Sequence, residues 1–581
     1  MISSPANRLA RPGRDAYVQR SPTASERTAT ARTQALSFPV QGSRTQTASL
    51  PPRGAGPAAL LGNGGAVDIA GIASAESPFP QAEASTAAPS ARADGDLVGE
   101  LHAELSSRMP PRFFHLDPST LVLDTVPSSE DRQKRLIRLT IESADRLAIM
   151  TSFSVNPAKD HVPGQVSGTT FAMLESLAKR QHDADFTFIL LYNDNKLQRN
   201  ALVAAVVGQN VTANMSLKTE SRLPGTTTWP EVVRAYNRQQ TDEHLRLGNV
   251  RCRIYFVSAK ARGAAGSHHN KFAINDRGIA ATLGASIANK TKDGWLDGGC
   301  IAIGSGLARS QRDYFVDELI GNHAISCGRL LCNGDEAAMQ PLARPADTFK
   351  ALKQVQIRSP FGSDSRVADQ ERMLDAFDNT GIAFRGGKHK VLWMQNPSNG
   401  YRNMFSTGGR IEGKPIGFAL AKIFGSAGSG DRLDIAGKKL GTEAFALIGK
   451  ALARGCDVNI LVDVSSRKIA DLAATQLYRR TTNPPVGTLT IKHYAPEPQW
   501  AQTLRINMDS ELVLHAKNYL LTRADGTCVV MTGSYNLDGQ SHYRSNENLM
   551  VFETRDDRLC RALFEDIRQG SNSKESIYRK R

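Results

Sequence analysis

Apolar residues first recur with a regular period near Phe113. Before that point, residues 1–110 are rich in Ser, Ala, Thr, Pro, Gly and Arg and show almost no periodic apolar pattern. Such a segment buries too little apolar surface to offset the entropy of ordering it, and it is expected to be disordered. Beyond it the pattern alternates between a helical period and a strand period. The spacing predicts helices over 131–143, 169–180 and 229–237, and strands over 145–153, 186–192 and 250–257. The same order then returns, with helices over 415–424, 442–454 and 468–479 and strands over 431–435, 458–464 and 489–494. Asp-Arg-Leu opens the first strand of each run, at Asp145 and at Asp431. Each run closes on a His-x-Lys: His269 with Lys271, and His515 with Lys517. A whole order that recurs is an internal repeat.

Alternating strands and helices predict an α/β fold with mixed sheets, built as two similar halves packed face to face. The chain divides into a disordered region, 1–110, a first half, 111–345, and a second half, 346–581. The first run is longer, which places an insertion within 195–249, where a long loop would shape a substrate entrance.

Each His-x-Lys is followed by a hairpin and a corner of small residues. The strand predicted over 513–521 turns at 522–527, around Asp525-Gly526, and returns over 528–531 to Gly533-Ser534-x-Asn536. The first copy runs from His269 through Asp276 to Gly284-Ala285-Ser286 and Asn289. On a strand, residues two apart share a face, so each imidazole and ammonium would project together. His268 would then point outward. Asp297 and Glu547 follow the two corners, each before an apolar strand. A carboxylate there would accept the Nδ1 hydrogen of an imidazole and leave Nε2 free to act. Other features read as scaffold. The glycine run 425–430 is a turn, Lys388-His389-Lys390 is a charged strand entry, and Trp393, Trp500 and Tyr401 are core residues that could otherwise contact a lipid or base.

The folded part is basic. The 581 residues carry a net charge of +15, of which residues 1–110 supply only +1 (ten Arg against nine acids). That balance favours an anionic partner: a phospholipid surface, nucleic acid or a phosphorylated small molecule. The seven cysteines are scattered, without the close pairs of a zinc site or a disulfide framework, and are expected to be buried free thiols. No run reaches the length of a membrane span, and no apolar segment follows the N-terminal charges as in a cleaved secretory signal.

These motifs resemble those of the phospholipase D superfamily, whose members carry two His-x-Lys-x4-Asp motifs. The resemblance covers roughly 130–560. His269-x-Lys271-x4-Asp276 matches one motif in full. His515-x-Lys517 with Gly533-Ser534-x-Asn536 matches the other, except that Thr522 stands where the family has Asp. The resemblance implies a bilobal α/β/α/β/α sandwich of two similar halves related by a pseudo-two-fold axis, with one active site between them. It implies covalent chemistry through a phosphohistidine, in which His269 is the nucleophile and His515 the acid. Lys271, Lys517, Asn289, Asn536 and Ser534, with Ser286 in the other copy, would bind the phosphoryl oxygens. Asp276 and Gly533 would support the motif structurally. No metal or other cofactor is implied, because the lysines supply the positive charge.

Within the superfamily, two motifs in one chain without membrane helices lean towards a lipid head-group hydrolase or transferase, acting as a monomer at an anionic membrane surface. A nuclease or nucleic-acid-end phosphodiesterase is the alternative. The Arg- and Ser-rich start, with eight Arg in residues 1–60, also fits a leader for a bacterial injection-type secretion system. On that reading the protein is a secreted effector; a cytoplasmic enzyme is the alternative.

Overall fold

The computed structural model describes residues 96–122, 129–155, 165–166, 168–193, 228–259, 267–286, 295–362, 365–382, 387–397, 413–479, 484–503, 506, 508, 512–543 and 545–580. Residues 1–95, most of the expected insertion and Asn289 and Tyr401 lie outside them.

The first half contributes β1 (Phe114–Val122), β2 (Leu147–Ser152), β3 (Thr187–Asn193), β4 (Arg253–Ala259), β5 (Ser267–His268), β6 (Phe272–Asn275), β7 (Ile279–Leu283), β8 (Trp295–Leu296) and β9 (Gly299–Ile303). A hairpin follows, β10 (Ala324–Asn333) with β11 (Glu336–Pro341). The second half contributes β12 (Gly387–Asn396), β13 (Arg432–Gly437), β14 (Asp457–Val462), β15 (Leu489–His493), β16 (Val513–Leu514), β17 (Lys517–Thr522), β18 (Cys528–Gly533), β19 (Ser545–Thr554) and β20 (Ser576–Tyr578). The main helices are α1 (Leu97–Arg108), α2 (Ser129–Glu142), α3 (Gly168–Lys179), α4 (Trp229–Gln239), α5 (Ser305–Tyr314), α6 (Val367–Thr380), α7 (Pro415–Ser426), α8 (Thr442–Ala453) and α9 (Arg467–Arg479). The mixed α/β class expected from the pattern is the class observed.

The strand order shows the repeat directly. In the first half it is β4-β3-β2-β6-β7-β9-β1. In the second it is β15-β14-β13-β17-β18-β19-β12. The first three strands of each order are parallel and the rest antiparallel. β2 and β3 are buried at every position, as expected of parallel strands covered on both faces. β1 and β12 pair antiparallel and join the two sheets. The sheets also meet face to face, with β7 and β9 packed on β18 and β19.

Three expectations change. The region read as disordered to residue 110 contains α1, whose Val98, Leu101 and Leu105 lie on one face and are buried in the core. Asp96 caps it, accepting a hydrogen bond from the Gly99 amide at 2.9 Å. Three apolar positions in a polar helix carry too weak a periodicity to stand out beside the Ser/Ala-rich stretch before it. A second change concerns how the halves on either side of 345/346 pack together. α6 packs on α2 of the first half, whereas α1 packs on α7, β12 and β19 of the second. The repeat therefore begins one helix earlier, as α1-β1-α2-β2 against α6-β12-α7-β13, and the two leading helices are exchanged between the halves. The third change concerns Cys332 and Cys560, which are half-buried rather than buried; all seven thiols are free.

The Thr in place of the family's Asp has a structural counterpart. Asp276 accepts the backbone amides of Asp145 at 2.9 Å and Arg146 at 2.8 Å, tying the hairpin to the start of β2. At Thr522 the tie runs the other way. Asp431, at the start of β13, accepts the amide of Ala524 at 3.1 Å and the guanidinium of Arg523 at 3.1 Å. Arg277 and Arg523 are equivalent residues, since Arg277 pairs with Asp145 at 2.7 Å.

Candidate active site

The predicted strands through both His-x-Lys pairs are broken at the histidine. β5 ends at His268 and β6 begins at Phe272; β16 ends at Leu514 and β17 begins at Lys517. The break arises because each histidine segment turns to pair with the other half. β5 lies parallel to the start of β19, and β16 lies parallel to β8. The His269 amide donates to the Asn546 carbonyl at 3.0 Å, and the His515 amide donates to the Leu296 carbonyl at 2.7 Å. Asn546 immediately precedes Glu547, and Leu296 immediately precedes Asp297.

That pairing crosses the carboxylates between the halves. His269 Nδ1 lies 2.7 Å from Glu547 Oε2, and His515 Nδ1 lies 2.6 Å from Asp297 Oδ2. The sequence left open which imidazole each carboxylate serves; each takes its partner from the opposite half. Glycine is required at both corners that leave room for these strands. A Cβ on Gly284 would lie 2.0 Å from Asp297 Oδ1, and one on Gly533 would lie 2.3 Å from the Asn548 carbonyl oxygen.

The lysines lie beside their histidines, though not as neighbours on one strand face. Lys271 Nζ donates to the His269 carbonyl at 2.8 Å. Lys517 Nζ donates to the His515 carbonyl and lies 2.9 Å from His515 Nδ1. Both lysines are buried.

Electrostatics separate the two pairs. Burial, then the lysine ammonium groups, push both histidines well below the usual imidazole range, so they rest neutral. Burial pushes Glu547 up to about 7, against the opposing pull of Lys271 and hydrogen bonds from Ser534 and Ser541. Burial also acts on Asp297, but His515, Lys517 and the Gly298 amide outweigh it and hold the carboxyl below its ordinary value. Burial lowers Lys517 to about 8 and Lys271 well below its usual range.

The other expected site residues divide. Ser534 gives its hydroxyl hydrogen to Glu547 Oε2 at 2.6 Å and so holds a carboxylate rather than a phosphate. Asn536 is buried with its side-chain oxygen unbonded, in keeping with a group that awaits a ligand. Ser286 is buried just beyond β7. His268, expected outward, is fully buried: β5 lies beside β19 of the second half, and the His268 amide donates to Asn193 of β3 at 3.2 Å. Trp393 is core as expected, fully buried. Among the described residues, no group of three or more His, Cys, Asp or Glu is gathered to hold a metal ion.

Sequence reasoning missed several groups. Ser541 donates to Glu547 Oε1 at 2.8 Å, completing the shell around that carboxylate. Phe153 packs edge-on to His269 with ring centroids 4.9 Å apart, and Trp295 stacks on His515 at 5.1 Å. The Lys438 ammonium lies 4.7 Å from the centre of the Trp295 ring. Counting from Asp145 and Asp431 sets Phe153 opposite Lys439, and the strand ends move the match to Lys438. Ser152 and Gly437 end β2 and β13, so Phe153 and Lys438 occupy the same step after those strands.

Residues 423–568 match the family model for the cardiolipin synthase, phospholipase D-like domain. Among curated proteins there is no sequence match. Among solved structures, the chain is similar to phosphatidylserine synthase of Haemophilus influenzae at 13% identity and a TM-score of 0.43, covering 79% of this chain and 89% of that one. It is also similar to Nuc, a phospholipase D family member of Salmonella typhimurium, at 15% identity and a TM-score of 0.21, over 28% of this chain and 93% of that one. The family match spans the second half's motif, with His515, Lys517, Gly533, Asn536 and Glu547.

Proposed function

We propose that the protein is a phosphodiesterase of the phospholipase D type that hydrolyses or transfers phospholipid head groups through a phosphohistidine. The crossed pairing carries this reading. Two imidazoles, each bonded at Nδ1 to a buried carboxylate, leave Nε2 as the reacting nitrogen, with Lys517 Nζ 3.4 Å from that of His515. His269 Nε2 attacks phosphorus as the bond to the leaving oxygen breaks; His515, protonated at Nε2 once the substrate's negative charge joins the lysines, gives that proton to the leaving oxygen. In the second step His515 takes a proton from water or an alcohol, whose oxygen displaces His269. Asp297 supports this division of roles. It stays ionised and favours a protonated His515, whereas Glu547, near neutrality, leaves His269 unprotonated. Lys271, Lys517 and Asn536 face the charge that develops on the phosphoryl oxygens. Asn289 follows the first corner in the sequence, and we assign it the same role there.

The basic balance of the chain supports adsorption to an anionic bilayer, with the protein acting as a monomer. No helix among the described residues is long and apolar enough to cross a membrane. The test is turnover in EDTA of labelled phosphatidylcholine or phosphatidylethanolamine, with single- and double-stranded DNA in parallel. Head-group release that His515→Ala abolishes is the expected result. DNA nicking without lipid turnover would instead establish the nuclease alternative. We further propose that the Arg-rich start directs export through an injection-type system. Deleting residues 1–60 is expected to block export and leave activity intact; export of the truncated protein refutes the idea.

A further inference from the structure

Asp463, the residue after β14, ties the site to a stretch of surface. Its Oδ2 accepts the Leu514 amide at 3.1 Å, one residue before His515. Its Oδ1 accepts the Ser465 amide at 3.0 Å and caps the short turn Val464–Ser466. The Ser466 hydroxyl donates to the Lys438 carbonyl at 2.8 Å, one residue past β13. α9 starts directly after this turn. Its first residues are therefore fixed to the backbone that carries His515.

α9 buries Ala470, Ala473, Ala474 and Leu477 in the core, the anchoring face of an amphipathic helix. Ile469 and Leu472 are three apart and so adjacent on the helix surface, yet they remain 38% and 37% exposed. Val464, on the capped turn before them, is 59% exposed. Single exposed apolar residues are ordinary. Three on one rigid turn and the helix it starts make a patch of the kind that marks an interaction surface.

Charge says what the patch meets. The first turn of α9 carries Arg467 and Lys468 and no acid, although the positive end of a helix favours acids. Lys468 is exposed between Arg467 and Ile469, and Lys439 is exposed next to the carbonyl that Ser466 holds. Aliphatic residues bordered by Lys and Arg match a phospholipid surface: the first enter the acyl boundary and the second meet lipid phosphates. A nucleic-acid strand is met instead by basic groups with aromatic rings for stacking, and residues 464–472 contain no aromatic.

We propose that the turn Val464–Ser466 and the exposed face of α9 dock the protein on an anionic phospholipid bilayer. Val464, Ile469 and Leu472 enter the interface, and Lys439, Arg467 and Lys468 meet lipid phosphates. The clamp through Asp463 then sets the His515 segment at the membrane. This rests on the phospholipid reading above and deepens it, naming the face of the protein that meets the lipid.

The test is sedimentation of the full chain with vesicles of phosphatidylcholine and phosphatidylglycerol, against vesicles of phosphatidylcholine alone. Wild type is expected to bind the anionic vesicles more tightly. Ile469→Ser with Leu472→Ser is expected to weaken that binding by about tenfold, because it removes apolar area from the interface. Lys468→Gln is expected to weaken it by about fivefold, the contribution of one cation at an anionic surface. Val367→Ser on α6, at a residue 69% exposed outside the patch, is the control and should change nothing. Wild type that ignores the vesicles overturns the docking surface, as does a double variant that binds them like wild type. Self-association that the same substitutions abolish, in place of vesicle binding, assigns the face to a second copy and also overturns it. Turnover of bis(4-nitrophenyl) phosphate and of vesicle phospholipid is followed alongside. The double variant is expected to keep the first, which also shows that it folds, and to lose the second in step with binding. Vesicle binding that the variants lose, without any phospholipid turnover by wild type, keeps the docking surface and removes the phospholipid substrate. Phospholipid turnover and vesicle binding that the double variant retains do the reverse.

Discussion

Glu547→Gln tests the site through two independent readouts. Glu547 is fully buried and accepts from Ser534, Ser541 and His269. Its carboxyl moves from an ordinary 4.5 to about 7. At 1.36 kcal/mol per pH unit, a shift of about 2.5 units disfavours its ionised form by about 3 kcal/mol in the fold. The folded-state pKa lies above the unfolded one, so the folded protein binds more protons between those values. The contribution of this group to stability is present below pH 4.5 and is lost as pH rises through about 7. Gln cannot ionise. Urea unfolding at pH 5 and pH 8 should therefore show wild type losing about 2.5 kcal/mol more than the variant over that interval, while titrations common to both cancel. Activity should move the opposite way. Gln removes the fixed acceptor for His269 Nδ1–H, the tautomer with Nε2 free loses its support, and turnover should fall by roughly 10³–10⁴-fold, as in other histidine–carboxylate pairs. Identical pH dependence of stability in the two proteins would refute the burial argument. A loss of activity under about tenfold would refute the orienting role.

The remaining expectations concern pH, the hairpins and α1. Wild-type kcat/KM should rise through about pH 7 as Glu547 ionises and fall above about pH 8 as Lys517 loses its proton, giving a narrow bell; a plateau from pH 5 to 9 would contradict both assignments. Asp276→Ala leaves the amides of Asp145 and Arg146 without their acceptor, and should cost about 2–3 kcal/mol in chemical denaturation. Thr522→Asp should gain less than about 0.5 kcal/mol in the same assay, because Asp431 already holds the second hairpin. Leu105→Ala, at a fully buried position of α1, should cost about 2–5 kcal/mol, whereas a loose tail would register no change.

Local signals carried most of the scaffold. Continuous apolar runs such as those of β2, β3 and β14 are bounded sharply by turns and charges, and they read as buried strands without ambiguity. The His-x-Lys pairs, the Gly corners and Asp297 and Glu547 were legible because each recurs in order. What was hidden depends on the second half of the molecule being present. The sequence does not say which histidine Glu547 serves, and the β5–β19 and β8–β16 pairings decide it. His268 reads as an outward residue, yet it is fully buried where β5 meets β3 and β19. Ser534 reads as a phosphate ligand until Glu547 proves to be within 2.6 Å. α1 failed for a different reason: three apolar residues suffice for a helix that has a ready surface on α7 and β12, but they make a faint periodicity.

The exchange of carboxylates has a consequence for when chemistry begins. Neither half holds a complete histidine. Each brings an imidazole without its acceptor and an acceptor without its imidazole. A chain that is still being synthesised, is held unfolded, or has only one half closed is therefore chemically silent towards phosphodiesters around it. Competence requires the two halves to close on each other, with β19 beside β5 and β16 beside β8.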